Sequence, residues 1–291
     1  MHLPRIGITM GDPKGIGPEV IQKALRSAKV RRVCKPIIFG DPSYFDWKKS
    51  KSLSSKQAGQ LSAFYIEQAT HAVLSGQIDA IATGPISKEH LRLAGYSFPG
   101  HTEFLAALSK TRDVRMMMAG SSLRVVLVTI HDPFSKISAL LPKKKILNTI
   151  EMTDSHLKKW FKIRRPRIAV AALNPHAGEG GLFGNEEKTK IAPAIQQAQR
   201  RKIAASGPYP PDTVFHRAVQ GEFDAVVAMY HDQGLIPLKL LHFKDAVNLT
   251  LGLPFVRTSV DHGTGFDIAG KGIADASSMI AAIEMAAELS Q

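Results

Sequence analysis

Only one cysteine, Cys34, occurs in 291 residues. No disulfide framework can form within the chain, and a reducing compartment is expected. In the run RVCKPII this cysteine reads as a small buried hydrophobe near a strand start, not as a nucleophile. Aromatics are sparse, at 7%, and none is interleaved with the basic clusters Lys48–Lys51, Lys143–Lys145, Arg164–Arg167 and Arg200–Lys202 as base-stacking platforms would be. The net charge of +13 therefore reads as solvated surface that steers anionic small molecules, and a basic nucleic-acid-binding protein is the weaker alternative. No run of about 18 apolar residues occurs, so no membrane span is expected. The opening MHLPRIGITMGDPKG lacks a basic stretch followed by an apolar signal core, and cytoplasm is the expected location. Internal repeats and low-complexity linkers are also missing.

What is present is an ordinary balance of 44% hydrophobic and 22% charged residues, arranged as apolar runs alternating with helical periodicity. Strands are predicted at Arg5–Thr9, Val33–Phe39 (with a proline inside), Ala80–Thr83, Arg115–Met118, Val125–Thr129, Arg167–Leu173, Asp224–Met229, Ala246–Leu249 and Phe255–Val260. Helices are predicted from Pro18, where Val20, Ile21, Ala24 and Leu25 share a face, at Gln57–Leu74, after Thr102 as a capping residue, within Ser138–Phe161, at Glu186–Lys202 and at Ser277–Leu289. Gly40–Ser55 reads as polar loop. Strands alternating with helices predict an α/β protein with largely parallel strands. Two domains are expected, residues 1–100 plus 250–291 and residues 101–249.

Four groups of residues carry chemistry. His131, His176 and His231 each follow an apolar strand, and ligands of an open parallel sheet gather at the carboxyl ends of its strands. A fold that joined them would make a three-imidazole divalent-metal site with an open position. Asp132 and Asp232 stand beside two of the three and could orient an imidazole. The turn GDPKGIGPE, residues 11–19, differs from the G-x-G-x-x-G fingerprint and reads as a tight turn before a helix, with anion binding at the helix start as the alternative. The segment TSVDHGTGFDIAGKGIADASS, residues 258–278, reads as a functional loop, since loops this glycine-rich inside a compact domain are usually functional, with a long surface loop as the alternative. Glycine would admit a flat ligand there, and Asp267 could accept from ribose hydroxyls. Finally, His101, Thr102, Lys239, Asn248 and Arg257 are groups that suit an anion. Ser135 and Ser259 have no G-x-S-x-G elbow to make them nucleophiles. A metal-dependent hydrolase on the same three histidines is a further alternative.

The segments GDPKGIGPEV and HGTGFDIAGKGIAD resemble the N-terminal element and the adenosine-binding loop of the isocitrate and isopropylmalate dehydrogenases. TGPISK, PGHTEF, LNPHAGEGG, MYHDQGLIPLK and NLTLGLPFVRTSVDHGT resemble, within that superfamily, the 4-hydroxythreonine-4-phosphate dehydrogenase family, and the resemblance spans nearly the whole chain. It implies two α/β/α domains with an active-site cleft between them. It also implies a homodimer in which His131, His176 and His231 hold one divalent metal (zinc, magnesium or cobalt) shared between subunits. His101, Thr102, Lys239, Asn248 and Arg257 would bind a phosphorylated hydroxy acid, and His262, Gly263, Thr264 and Asp267 would bind NAD or NADP. Lys239, Asp212 and Asp232 are the candidates for proton handling. The implied reaction is oxidation of a 3-hydroxyl to a β-keto acid that decarboxylates. A sister group acts on threonate or erythronate 4-phosphate, and the residues named do not separate the two substrates. Gly40–Thr70 is shorter than the family pattern.

Overall fold

A computed structural model describes residues 3–291. The chain divides into two compact units, one running to Val114 and resuming at Val247–Gln291, the other Arg115–Ala246.

The first unit contains β1 (Arg5–Thr9), α1 (Gly17–Arg26), α2 (Ala28–Val33), β2 (Lys35–Phe39), α3 (Trp47–Ser50), α4 (Ser55–Leu74), β3 (Ala80–Thr83), α5 (Lys88–Leu93) and α6 (His101–Leu108). The second unit contains β4 (Arg115–Ala119), β5 (Arg124–Leu127), α7 (Lys143–Lys159), β6 (Ile168–Ala171), α8 (Ala192–Arg200), β7 (Ala205–Tyr209), α9 (Pro211–Val219), β8 (Ala225–Ala228) and α10 (His231–Leu241). The chain then returns to the first unit with β9 (Val247–Leu251), β10 (Val256–Ser259) and α11 (Ser277–Leu289).

In the first unit the strand order is β2-β1-β3-β10-β9, with β9 alone antiparallel to its neighbour. In the second it is β4-β5-β8-β6-β7, and only the β4–β5 pair is antiparallel. The central strands AIAT, IAVA and AVVA are buried throughout, the continuous apolar pattern of strands covered on both faces. Pro36 is tolerated because β2 pairs only with β1 and lies at an edge, where a missing N–H leaves no gap in a ladder.

Several local expectations fail, each for an identifiable reason. Val33 closes helix α2, so the strand begins only at Lys35. Gly40–Ser55 is not all loop: Asp41 and Asp46 accept from the backbone N–H groups of Ser43 and Lys48 and start a 3₁₀ turn and α3. Thr102 does not cap a helix. Helix α6 begins one residue earlier at His101, and its N-cap is Gly100 with no side-chain bond. This helix, with Phe104 and Leu105 packed beside Ile66 and Leu91, belongs to the first unit. In Glu186–Lys202 a π turn, Glu187–Ile191, precedes α8, because Pro193 has no N–H for the ordinary ladder. The helices α9 and α10 and the strand β7 were hidden by prolines and glycines, and α5 by its length of six residues. In α10, Gly234 lies against the sheet: a Cβ there would fall 2.5 Å from Val125 Cγ1.

Cys34 is buried, as read, and burial pushes its thiol up to about 11. No helix among the described residues is long and apolar enough to cross a membrane.

Gly59 of α4 meets the backbone of α5 at a distance that admits no side chain, since a Cβ would fall 2.0 Å from the His90 carbonyl oxygen. A backbone carbonyl cannot yield as a side-chain tip can. Gly59→Ala is expected to lower stability by about 1–3 kcal/mol despite its gain in helix propensity. A shift in the urea midpoint at unchanged m-value measures it.

Candidate active site

The three histidines leave adjacent strands. β5, β8 and β6 are neighbours and mutually parallel, so their carboxyl ends lie side by side. His131 and His231 come together, their ring centroids 5.7 Å apart. His231 opens α10, and its Nδ1 lies 2.7 Å from Asp232 Oδ1. The Asp232 carboxylate thereby fixes the ring with Nε2 as the nitrogen left for a cation.

His176 departs from the pair. It starts a run of five consecutive residues, His176 to Gly180, with φ between 41° and 79°. Its ring lies 6.4 Å from that of Phe183. Glu187, buried beneath this turn, accepts from the backbone N–H groups of Leu173 (2.9 Å) and Asn174 (2.8 Å) and from the Asn174 amide (3.0 Å). Among the described residues, no group of three or more His, Cys, Asp or Glu side chains forms a metal-holding set.

Asp232 and Asp212 both line a groove of about 550 Å³ between α9 and α10 whose other walls are largely apolar. Lys239 lies in the last turn of α10.

The anion-binding candidates of the first unit form a buried polar cluster. Arg257, 2% exposed, stands on β10 between β3 and β9. Its guanidinium donates to Thr83 Oγ1 (2.6 Å) and Thr250 Oγ1 (3.0 Å). Burial pulls Arg257 down to about 9, which leaves it protonated at neutral pH. His101 is held well below the usual imidazole range, first by burial and then by the Arg257 charge. His101 Nε2, Arg257 Nε and Asn248 Oδ1 are buried without a hydrogen-bond partner. Three such atoms in one unit are costly unless something pairs with them, and a phosphate would accept from the first two. Asn248 lies opposite Ser259 in the β9–β10 register. Thr102 follows His101 in the first turn of α6.

The C-terminal glycine-rich segment holds the remaining candidates. His262 Nδ1 lies 2.9 Å from the Gly263 carbonyl, while its Nε2 is buried and unpartnered. Gly263 has open space where a Cβ would stand. The carbonyl of Thr264 accepts from Ile16 N (2.8 Å), and Asp267 is exposed.

Sequence reasoning missed Thr83, Thr250 and Glu187. The two threonines sit inside strands, and although both fall within the quoted motifs TGPISK and NLTLGLPFVRTSVDHGT, nothing local marks their hydroxyls as partners of Arg257. The one local signal for Glu187 was an acidic residue following a glycine-dense loop.

Histidines delivered from parallel strand ends in one unit and a buried arginine–histidine pair in the other are features that suit an enzyme acting on anionic metabolites. The particular family follows from comparison. Residues 19–286 match the family model described as pyridoxal phosphate biosynthetic protein PdxA, and the chain belongs to that family. It is 50% identical to a 4-hydroxythreonine-4-phosphate dehydrogenase of Desulforapulum autotrophicum over 322 aligned positions, covering 98% of this chain and 95% of the relative. It is 44% identical to a D-threonate 4-phosphate dehydrogenase of Cupriavidus necator, covering 99% and 98%. The crystal structure of 4-hydroxythreonine-4-phosphate dehydrogenase from Klebsiella pneumoniae superposes with a TM-score of 0.89 at 39% identity, covering 99% of this chain and 100% of that one. The resemblance read from the motifs is thus borne out, and with it the isocitrate dehydrogenase-like fold.

Two expectations follow from the polar groups. Sulfate keeps its charge across neutral pH, so any pH dependence of its binding belongs to the protein. An anion beside His101 favours the imidazolium that burial and Arg257 disfavour. Sulfate affinity is therefore expected to rise as pH falls below neutrality and to lose that slope in His101→Asn; calorimetric titration reads both.

Glu186 is held down to about 2, chiefly by Ser138 Oγ and then by the Asn174 amide. Its contribution to stability is complete above the ordinary value near 4.5 and is lost as pH falls toward 2. Ser138→Ala is expected to raise the Glu186 titration midpoint, observable by carboxyl-carbon NMR.

Proposed function

We propose that this chain catalyses the NAD-dependent oxidation of 4-phosphohydroxy-threonine at its 3-hydroxyl. The β-keto acid then loses carbon dioxide to give 3-amino-2-oxopropyl phosphate, a step of pyridoxal phosphate biosynthesis in the cytoplasm. The observation that carries the reading is the cluster of buried, unpartnered polar atoms on His101, Asn248 and Arg257 in a member of this family. These residues, with Thr102 and Lys239, are assigned to the substrate and its phosphate.

A divalent cation fits the donor set: His131 and His231 stand together, and Asp232 already orients one of them. His176 is assigned as the third ligand, supplied across a homodimer. The cation would supply Lewis acidity at the reacting oxygen, making the hydroxyl proton easier to lose and easing the charge left by decarboxylation. Lys239 is assigned to move that proton, with Asp212 and Asp232 as the alternatives. Bound nicotinamide would supply the hydride acceptor for the substrate carbon, and the electrons of the breaking carbon–carboxylate bond would stay on the substrate as an enolate that takes up a proton. The segment from His262 to Asp267 is assigned to the adenosine half of NAD, with NADP as the alternative.

The dimer reading is supported by an apolar face on and just beyond α10, where Ile236, Leu240 and Phe243 are 66%, 84% and 79% exposed. Contiguous apolar surface of this kind marks a contact.

The decisive experiment is a turnover panel of threonine, threonate and erythronate 4-phosphates with NAD and divalent metal. Absorbance at 340 nm is expected to rise fastest with the threonine compound and only with metal present. Faster turnover of threonate 4-phosphate would move the assignment to that substrate, and no turnover with any of the three would end the dehydrogenase reading. In the same protein, Asp232→Asn is expected to weaken metal affinity about 10–100-fold by releasing the His231 ring, measured by competition with a chelating dye.

A further inference from the structure

The GDPKGIGPE element carries no role in the reaction proposed above, yet it is tied to the C-terminal glycine-rich segment at several points. Ile16 N donates to the Thr264 carbonyl at 2.8 Å. Gly15 approaches the same carbonyl so closely that a Cβ would fall 2.6 Å from it. In the first turn of α1, the Glu19 carboxylate accepts from Ala274 N (2.8 Å) and Gly272 N (3.3 Å). Lys23, one turn further, donates to the carbonyls of Gly272 (2.9 Å) and Ala274 (2.6 Å) and pairs with Glu19 at 2.8 Å. Two opposite charges thus grip donors and acceptors of the same two residues. The gripped segment needs such a grip: Gly265, Gly270 and Gly272 all have φ between 52° and 75°, and glycines in that region have much conformational freedom to lose.

We infer that Glu19 and Lys23 are positioning residues for the dinucleotide, a clasp that presets residues 262–274 before the cofactor arrives. The inference rests on the assignment of this segment to NAD. Both Glu19 oxygens and the Lys23 ammonium are engaged with the segment's backbone and with each other, so neither group has to touch the cofactor. The gain comes from preorganisation: the entropy of ordering the segment is lost on folding and not on binding. A ligand-facing consequence is already visible at the far end of the segment, where His262 Nε2 is held buried and unpartnered.

The test uses the full-length protein with NAD as probe. Lys23→Met keeps the aliphatic stem and removes the donors; Glu19→Gln keeps the shape and removes the charge. Both are expected to raise the NAD dissociation constant about tenfold and to speed amide hydrogen exchange across residues 268–276 in the absence of NAD. Divalent-metal affinity is expected to stay unchanged, which separates a loosened segment from general unfolding. Wild-type protein that binds NAD, with variants of equal affinity or equal exchange, would overturn the clasp and leave the cofactor assignment standing. Wild-type protein that fails to bind NAD would overturn the assignment and the clasp together.

Discussion

The parallel pairing of β5, β8 and β6 is the constraint on which the second unit depends. Val125 pairs with Val226, which pairs with Ala169, so the three strands are held level. Their carboxyl ends then release the chain at neighbouring points, and only residues 128–130, 229–230 and 172–175 intervene before the three histidines. Strands this thoroughly buried accept few polar residues, which concentrates the chemistry in the first turns beyond them. Gly234 contributes by letting α10 lie close on β5 and β8, so that His231 begins a helix instead of trailing into a loop.

The first unit solves a different problem. A guanidinium with 2% exposure has lost its hydration; its terminal nitrogens donate to the hydroxyls of Thr83 and Thr250, and the Glu103 carboxylate acts on it electrostatically. Burying a charge in that way costs several kcal/mol unless it is fully paired. His101, kept neutral beside it, can donate one more hydrogen bond without adding repulsion to the free site. The two units therefore differ in chemistry: one brings two imidazoles together with a carboxylate behind one of them, and the other buries a guanidinium beside a neutral imidazole.

The legible part of this chain was the part governed by periodicity. Ala80–Thr83 and Ser277–Leu289 were read to the residue, because a buried strand and an amphipathic helix advertise themselves in apolar spacing. The α10 helix was not legible: Gly234 and Pro237 argue against a helix locally, and only packing on the sheet explains them. The site divides in the same way. Histidines at strand ends could be picked out because topology gathers strand ends. Thr83 and Thr250 could not, since a threonine inside a strand looks the same whether or not an arginine six or more residues away needs its hydroxyl. The clasp on Gly272 and Ala274 was equally hidden, as it joins an N-terminal helix to a loop some 250 residues later.

The turn at His176 brings both themes together. Three non-glycine residues, His176, Ala177 and Glu179, occupy the left-handed region, where each costs about 1–2 kcal/mol. Such strain persists only where its surroundings over-determine it. Here the surroundings are the Glu187 carboxylate, which satisfies the backbone N–H groups just before the turn, and Gly178, whose missing side chain leaves room for that carboxylate 2.7 Å from where a Cβ would be. A buried charge thus offsets a strained backbone. The left-handed run sets the His176 imidazole beside Phe183.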